Sequence, residues 1–400
     1  MTERLPDRAR KGRGAVSNDR SARFTALQRE RTDDGWAGNV YGCRRKPTDV
    51  DGDYVDGADA DAGDVDGVDP PPAEDPYDDP YDDPSPDTVV ARDHGRTALT
   101  WNHSPDVPFD RSINPYKGCE HGCVYCFARP THAYLDLSPG LDFETRIFAK
   151  EDAPELLRGE LAKPSYKPDT ITLGANTDPY QPVERRLRIT RRILEVLEEA
   201  RHPVCIVTKG ACADRDADIL ARMAQRGLAR VMVSVTTLDP ELARKLEPRA
   251  PTPRRRLAVV RTLRAAGVPV GVLAAPMIPA LNDSELERIL EASAAAGADT
   301  AGYVLLRLPH EIKDLFAEWL AAHYPDRKDH VLSLVGQMRG GKLYDSRWGT
   351  RMKGTGAYAD LLSKRFKIAA RRAGLNADRW DLDRTQFVPP AKDPRQGRLF

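Results

Sequence analysis

The sequence predicts an α/β protein in which buried strands alternate with helices, and three observations support this prediction. Five short apolar runs, each as long as a buried parallel strand, follow one another between residues 170 and 306. Helical patterns separate these runs, and in residues 189–200 the apolar side chains fall on one helix face. Three helical segments end in a glycine just before the next strand, at Gly227, Gly267 and Gly297, where a left-handed residue is favoured. Such units form a parallel sheet with helical crossovers, either doubly wound or closed toward a barrel.

Six strands are expected in this sheet. The first lies near residues 111–116, and the others at 170–174, 204–208, 231–236, 269–274 and 301–306. In both architectures the chemistry gathers at the carboxyl ends of the strands. We therefore expect the loop after the first strand to belong to the active centre.

The region before the first strand has an unusual charge distribution. Residues 49–91 contain 16 Asp or Glu and no Lys or Arg, which leaves 61 basic against 45 acidic residues in the rest of the chain. This segment is rich in Gly and Pro and buries too little apolar surface to fold. We predict a basic arm at 1–48, a disordered acidic linker at 49–95 and a catalytic fold over 97–310. A linker that mimics nucleic-acid charge and competes for a basic groove is the second interpretation.

The end of the chain predicts an α-rich cover at 311–375 and a tail at 376–400. Residues 336–358 of the cover combine glycines with basic and aromatic residues. Such side chains suit contacts with phosphates and stacking on bases, although a solvated loop without a ligand is the alternative. The basic residues are Arg339, Lys342, Arg347, Arg351 and Lys353, and the aromatic residues are Tyr344 and Trp348.

Hydropathy and cysteine content limit the class of protein. No stretch approaches the roughly 18–20 apolar residues of a membrane span, and the first 14 residues are charged where a secretory signal would be apolar. We therefore expect a cytoplasmic protein without a membrane segment. Six cysteines in 400 residues are too few for a disulfide scaffold, so a tight cluster of them indicates metal binding or catalysis.

Three of the six cysteines form such a cluster, at Cys119, Cys123 and Cys126 in NPYKGCEHGCVYCFARP. Zinc usually takes four ligands, often from two C-x2-C pairs, and this chain has no second pair. A zinc site that adds His121 or His132 is one alternative. Three thiolates are also sufficient for a four-iron cluster if the fourth iron is left to another ligand.

The cysteine motif resembles that of the radical S-adenosylmethionine (SAM) superfamily. Further segments at 173–184, 233–239, 246–257 and 275–283 are similar to the branch related to spore photoproduct lyase, and the resemblance runs from about residue 97 to 375. It implies a partial (β/α)6 barrel whose three cysteines hold a 4Fe-4S cluster, with SAM at the fourth iron. Reductive cleavage of SAM then yields a 5′-deoxyadenosyl radical that takes a hydrogen atom from the substrate.

The resemblance also implies which residues contact SAM. Aromatic residues beside the third cysteine lie near adenine, the end of the second strand meets the amino group, hydroxyls on the fourth strand bind ribose and carboxylate, and a lysine pairs with the carboxylate. In this order the candidates are Tyr125 and Phe127; Gly174, Asn176 and Thr177; Ser234 and Thr236; and Lys209. Loop packing for the aromatics and a solvated surface position for the lysine are the alternatives. Asp178 either binds SAM or substrate, or starts the turn before Pro179.

The substrate is less constrained than the cofactors. The basic folded part and the lyase-like branch favour nucleic acid, and the lack of a further cysteine-rich domain argues weakly against the alternative of a peptide, protein or small molecule. A non-enzymatic zinc-binding protein is the third class. For an enzyme, the resemblance implies an electron donor such as flavodoxin or ferredoxin.

No catalytic side chain is assigned. Spore photoproduct lyase returns a hydrogen atom to its product from a cysteine just ahead of a Ser/Thr-Asp pair, and Ala175 occupies that place here. Of the other thiols, Cys205 is expected to be a buried small hydrophobe, and Cys212 lies on a loop. We therefore expect SAM cleavage without efficient reversal of the thymine dimer of spores.

Overall fold

The strands form two sheets in the computed structural model, which describes residues 9–21, 23, 88–377 and 381–391. Within these residues the strands are β1 (Val89–Arg92), β2 (Thr100–Trp101), β3 (Arg111–Ile113), β4 (Tyr116–Lys117), β5 (Arg146–Ala149), β6 (Ile171–Leu173), β7 (Val204–Thr208), β8 (Ala229–Ser234), β9 (Val270–Met277) and β10 (Thr300–Leu305). The larger sheet has the order β10-β9-β8-β7-β6-β3-β2, and the smaller has the order β1-β5-β4.

Helices connect the strands of the larger sheet and cover its end. The α-helices are α1 (Leu141–Thr145), α2 (Ala153–Leu161), α3 (Glu184–Leu187), α4 (Ile189–Glu199), α5 (Ala217–Ala224), α6 (Pro240–Leu246), α7 (Pro253–Ala265), α8 (Leu286–Ala295), α9 (Ile312–His323), α10 (Lys328–Gln337) and α11 (Ala357–Arg372). Short 3-10 helices lie at Arg129–Leu135, Ala211–Asp216, Asp283–Glu285 and Pro325–Arg327. None of the helices in the described ranges is both long and apolar enough to cross a bilayer.

The larger sheet confirms the predicted α/β class. Strands β3 and β6 to β10 pair in parallel, and β2 adds an antiparallel edge beside β3. Among the described strands, β10 and β2 pair with different neighbours and not with each other, so the sheet remains a partial barrel. Gly227, Gly267 and Gly297 have φ values of 68°, 82° and 101°, which places all three in the predicted left-handed conformation.

The predicted linker boundary at residue 95 needs correction. Residues 89–92 form strand β1, which pairs in parallel with β5 and so belongs to the folded part. The sequence VVAR pairs through its backbone amides and carbonyls, and the composition of the preceding acidic segment concealed this. Residues 24–87, which contain most of the predicted linker, lie outside the described residues.

The predicted basic arm also needs correction. Ala15, Val16 and Ser17 are buried, and their segment packs against the helix that precedes β5. The side chain of Asn18 and the backbone amide of Asp142 are joined by a hydrogen bond of 2.8 Å. Residues 9–21, which we call the N-terminal strap, are therefore part of the folded unit that contains the sheet.

The C-terminal helices cover one end of the sheet, as predicted. Phe316 and Trp319 of α9 are buried and stacked with ring centroids 5.6 Å apart, and the Trp319 indole donates to the carbonyl of Lys245 over 2.9 Å. Part of the predicted tail is also packed on the fold. The amide of Val388 donates to the carbonyl of Ala200 over 2.9 Å, so the described residues 381–391 run along the helical layer.

Candidate active site

A cavity of about 240 Å³ lies where β6 to β10 end, and all three clustered cysteines line it. The cysteine loop runs from β4 to the 3-10 helix at Arg129–Leu135, so the topology brings it to the carboxyl ends of the strands. Hydrogen bonds fix both sides of this loop. The amide of Cys119 donates to the carbonyl of Phe143 over 2.9 Å, and that of Val124 donates to the carbonyl of Leu246 over 3.1 Å.

Arg129 holds the cysteine loop from inside. Its fully buried guanidinium donates to the carbonyls of Gly122 (3.0 Å), Cys123 (2.8 Å), Pro139 (3.0 Å) and Gly140 (2.9 Å). It also pairs with the carboxylate of Glu144 at 2.5 Å, and both side chains are 0% exposed. An arginine has five N–H donors, so this network uses its full donor capacity.

The N-terminal strap joins the same network. The carboxylate of Glu144 accepts the backbone amides of Gly14 (3.2 Å) and Ala15 (2.9 Å). At Gly14 a β-carbon would come within 1.8 Å of the carbonyl oxygen of Gly122, so only glycine allows this approach. Glu144 thereby connects the strap to Arg129, and through Arg129 to the loop of cysteines.

The cysteines are buried or half-buried and free of disulfide bonds. Burial raises the pKa of all three thiols, that of Cys123 to about 12. Binding to a metal would therefore have to displace their protons. Across the described ranges, no group of three or more His, Cys, Asp or Glu side chains is arranged to hold a metal ion.

Six of the eight residues predicted to contact SAM line the cavity. They are Tyr125, Phe127, Gly174, Asn176, Lys209 and Ser234. Gly174 follows β6 with φ of 80°, and a β-carbon there would meet the carbonyl oxygen of Val207 at 2.2 Å. Glycine at this position therefore allows the close approach of two strand ends.

The two predicted threonines do not line the cavity. The hydroxyl of Thr177 donates to the carbonyl of Tyr116 over 2.6 Å, and that of Thr236 donates to the carboxylate of Glu247 over 2.6 Å. Both side chains are almost completely buried. Their hydroxyls support the backbone and the second layer of the site instead of facing the cavity.

Glu247 organises a buried network behind the cysteines. It pairs with Arg256, and it accepts the hydroxyls of Tyr125 and Thr236. Burial alone would raise the pKa of Glu247, but Arg256 and Lys209 hold it at about 2. The hydrogen bond to Glu247 fixes the hydroxyl of Tyr125, while the ring of Tyr125 lines the cavity. Glu247 does not line the cavity, so it positions Tyr125 and does not contact a ligand there.

Asp178 starts the predicted turn and also lines the cavity. It accepts the amide of Tyr180 over 2.9 Å, which forms the predicted turn. It also lines the cavity, lies 3.4 Å from the imidazole of His121, and accepts the Thr208 hydroxyl (2.6 Å) and the Lys209 amide (2.7 Å). Burial would raise the pKa of Asp178, but His121 and these donors hold it at about 2. The cavity therefore contains a permanent carboxylate beside the cysteine loop.

Lys209 is the cation on this side of the cavity. Its ammonium lies 5.7 Å from the centre of the Tyr125 ring, and it has no hydrogen-bond or ion-pair partner among the residues that the structure describes. Burial would lower its pKa, but the negative potential of Cys123, Glu247 and Asp178 raises it. The ammonium is therefore charged and available to a carboxylate of a ligand.

The basic loop predicted to contact phosphates is largely engaged within the protein. Arg339 is 3% exposed and donates to the carbonyls of Leu306 (2.9 Å), Thr350 (3.0 Å) and Arg351 (2.8 Å), so it braces the loop. Arg351 pairs with Asp106, and Arg347 pairs with Asp345 at 2.8 Å. The side chains of Lys342, Lys353 and Trp348 are exposed, and Tyr344 is half-buried. Arg339 is thus excluded as a surface contact for phosphate.

Sequence reasoning missed several of the residues that line the cavity, and two of them are Arg307 and Met352. Arg307 follows β10 in LLRLP, and Met352 comes from the basic loop. Met352 reaches the cavity because the amide of Leu305 donates to its carbonyl over 2.9 Å, which docks the loop on the last strand. For Arg307 a signal existed, since it stands at the carboxyl end of a predicted strand. For Met352 no local pattern predicts the contact.

Comparison with known proteins shows which family a part of the chain resembles. Residues 113–292 match the profile of the Radical SAM superfamily. These residues include the cysteine loop and strands β4 to β9. This part of the chain is therefore similar to radical SAM domains.

Individual proteins and solved structures are also similar to this chain. An uncharacterized protein of Mycobacterium tuberculosis is 42% identical over 222 residues, which is 55% of this chain and 65% of that protein. An uncharacterized protein of Methanocaldococcus jannaschii is 27% identical over 173 residues, 43% of this chain and 62% of the relative. The matches thus span slightly less than two thirds of either relative. Spore photoproduct lyase complexed with dinucleoside spore photoproduct has the same fold, with 16% identity and a TM-score of 0.52 over 72% of this chain and 80% of the lyase.

Proposed function

We propose that this enzyme binds a 4Fe-4S cluster and SAM, cleaves SAM reductively, and takes a hydrogen atom from a component of nucleic acid. One observation carries the proposal: Cys119, Cys123 and Cys126 line the same cavity as Lys209 and the glycine-containing end of β6. The ammonium of Lys209 suits a cofactor with a carboxylate, and the ring of Tyr125 suits one with an aromatic ring.

The residues present fit these two groups. Three cysteines leave one iron of a four-iron cluster without a protein ligand, which suits a second ligand that binds at the cluster. Lys209 presents an ammonium without an ion-pair partner among the described residues, and the ring of Tyr125 lies beside it. When bound, the cluster supplies an electron to SAM, and the radical released from SAM takes hydrogen from the substrate.

The chain's own residues orient the ligands and exclude water. Lys209 would pair with the carboxylate of SAM, while Asp178, held as an anion, would attract its amino group. Ser234 offers a hydroxyl to the sugar. Apolar side chains, among them Leu273, Val304 and Leu305, line the opposite part of the cavity and keep solvent from a reactive carbon centre.

Nucleic acid is the substrate class that we favour. Outside residues 49–91 the chain has 61 basic and 45 acidic residues, which suits a polyanionic partner. Spore photoproduct lyase, which shares the fold, has been crystallised with a dinucleoside photoproduct. We further propose a cytoplasmic location and a donor such as flavodoxin or ferredoxin, because the cluster needs a reducing environment and a source of single electrons.

The test is anaerobic reconstitution with iron and sulfide, followed by reduction in the presence of SAM. We expect about four irons per chain and release of 5′-deoxyadenosine. The variant with alanine at all three motif cysteines is the control and should have neither. A wild-type protein that binds only zinc, or a triple variant that keeps its iron, would disprove the proposed cofactor. Oligonucleotides, peptides and small metabolites are then compared as substrates by hydrogen transfer into 5′-deoxyadenosine.

A further inference from the structure

The cavity contains a second cation, Arg307, which has no role in the proposed binding of the cluster or of SAM. We propose that Arg307 is a substrate-binding residue that receives a phosphodiester group of a nucleic-acid strand. This inference rests on the proposed function and adds to it the group of the substrate that is recognised and the residue that recognises it.

Arg307 has no carboxylate or carbonyl partner among the described residues. Its Nε is buried without a hydrogen bond, and its only recorded side-chain hydrogen bond within the described part of the chain joins Nη1 to the sulfur of Met352 at 3.5 Å. Other arginines around the site, such as Arg129, Arg256 and Arg351, pair with carboxylates. A guanidinium left without a strong acceptor beside a cavity is a donor available to a ligand.

The local charge around Arg307 is positive. Two carboxylates, those of Asp106 and Asp345, lie among four guanidinium groups, those of Arg307, Arg339, Arg347 and Arg351. The carboxylates are paired with Arg351 and Arg347, whereas Arg339 is satisfied by carbonyls. The proximity of Arg307 adds to burial in lowering the pKa of Arg339, which indicates that the two cations repel each other. The two carboxylates therefore compensate only part of the positive charge, and the remainder favours an anion.

Arg307 and Lys209 lie in different parts of the cavity. Lys209 follows β7 and lies beside Tyr125, whereas Arg307 follows β10 and lies 5.2 Å from the ring of Phe127. Three strand positions separate β7 and β10 in the sheet, so the cations occupy different parts of the cavity. If Lys209 pairs with the carboxylate of SAM, Arg307 faces the space that remains for the substrate.

The flat, forked guanidinium also selects the kind of anion. It makes two parallel hydrogen bonds to a phosphate or carboxylate, which an ammonium cannot reproduce. A strand of nucleic acid has a phosphate at every nucleotide, and the exposed Trp348 and half-exposed Phe127 offer rings close to the same loop for its bases. We therefore assign a phosphodiester to Arg307 in preference to a carboxylate.

The experiment measures binding of a short fluorescent single-stranded DNA to the full-length, anaerobically reconstituted protein with SAM, by fluorescence anisotropy. The same strand with uncharged methylphosphonate linkages is the second probe. The variants are Arg307→Gln, Arg307→Lys and, as the matched control, Arg261→Gln, which removes a charge from an exposed residue of α7.

We expect Arg307→Gln to weaken DNA binding about tenfold or more and to lower the salt dependence by about one phosphate contact. Arg307→Lys should recover only part of the affinity, Arg261→Gln should bind like the wild type, and the methylphosphonate strand should not distinguish Arg307→Gln from the wild type. Equal losses in Arg307→Gln and Arg261→Gln would overturn the inference. So would a wild-type protein that binds both strands equally or binds neither.

A separate readout keeps this inference distinct from the proposed function. Formation of 5′-deoxyadenosine without substrate is measured for every variant, and the control Arg261→Gln should match the wild type. If Arg307→Gln alone loses it, Arg307 serves the cofactors and the inference is wrong. If the wild type itself forms none, the proposed function fails, whatever the DNA-binding result.

Discussion

Replacing Glu144 by glutamine tests whether the N-terminal strap and the cysteine loop are joined through one buried carboxylate. Glutamine has nearly the same size and shape, so the change removes charge without opening a cavity. It leaves the Arg129 guanidinium buried without a counter-ion. It also turns one acceptor oxygen into an NH2 group, so one of the two hydrogen bonds, from the Gly14 amide to Oε2 or from the Ala15 amide to Oε1, is lost.

The expected loss is large because both partners are completely buried. Arg129 and Glu144 are 2.5 Å apart and 0% exposed. Removing one partner of such a pair costs about 3–5 kcal/mol, mainly because the other charge stays buried and uncompensated. The more exposed pair of Arg158 and Glu199 has a similar separation of 2.6 Å, but its side chains are 27% and 42% exposed, so it should contribute less than about 1 kcal/mol.

Urea unfolding followed by circular dichroism measures both changes. With an m-value of about 3 kcal/mol/M, Glu144→Gln should lower the midpoint by about 1–1.7 M. Glu199→Gln, the matched control, should shift it by less than about 0.3 M. Iron content after reconstitution is a second readout, because Arg129 holds the carbonyls of Gly122 and Cys123. If Glu144→Gln unfolds no more easily than Glu199→Gln, the strap and the loop are not coupled as described.

Three further predictions follow. Alanine at Cys43, Cys205 or Cys212 should leave iron content unchanged, since they lie outside the cysteine motif; loss of iron in any of them would reveal a further ligand. Burial lowers the pKa of His202 from 6.5 to about 4. Between pH 6.5 and pH 4 this imidazole is therefore protonated in the unfolded chain and neutral in the folded protein. The free energy of unfolding consequently decreases as the pH falls through this range. The stability difference between the wild type and His202→Gln should therefore narrow by about 3 kcal/mol from pH 7 to pH 4, and a constant difference would contradict this. Reduced enzyme with SAM should not restore thymidylyl-thymidine from the spore photoproduct, because Ala175 has no hydrogen atom to return; rapid turnover would refute this, and its loss in Cys205→Ala would identify that thiol as the donor.

The sheet could be predicted from sequence because its strands are short, apolar and bounded by glycine. The run VCIVT at 204–208 coincides with β7. The ends of the strands were predicted less accurately. The strand expected at 231–236 is β8, which ends at Ser234, and the hydroxyl of Thr236 beyond it bonds to Glu247. The N-terminal strap was missed because GRGAVSN has no periodic apolar pattern. Its burial depends on Glu144, which is about 130 positions away in the chain.

The candidate site was predictable where residue identity and backbone position define it. The cysteines and Gly174 belong to this group, because thiolate chemistry and a left-handed turn require particular residues. The hydroxyls of Thr177 and Thr236 show the limit of this reasoning. Near a strand end a short polar side chain can face the cavity or the layer behind it, and only the neighbouring acceptors decide. The availability of the Arg307 guanidinium could not be predicted from sequence, because it depends on which acceptors the folded cover places beside it.

The hydrogen bond from Leu305 to Met352 has a consequence for how such enzymes diversify. It fastens a late segment of the chain to the edge of the sheet and brings Met352 into a cavity whose other wall is the cysteine loop, more than two hundred residues earlier. Recombination or insertion within residues 338–356 would therefore alter which molecules the cavity admits and leave the cysteines, Arg129 and Glu144 untouched. Access and electron supply are encoded in separate stretches of the gene, so each can change without the other.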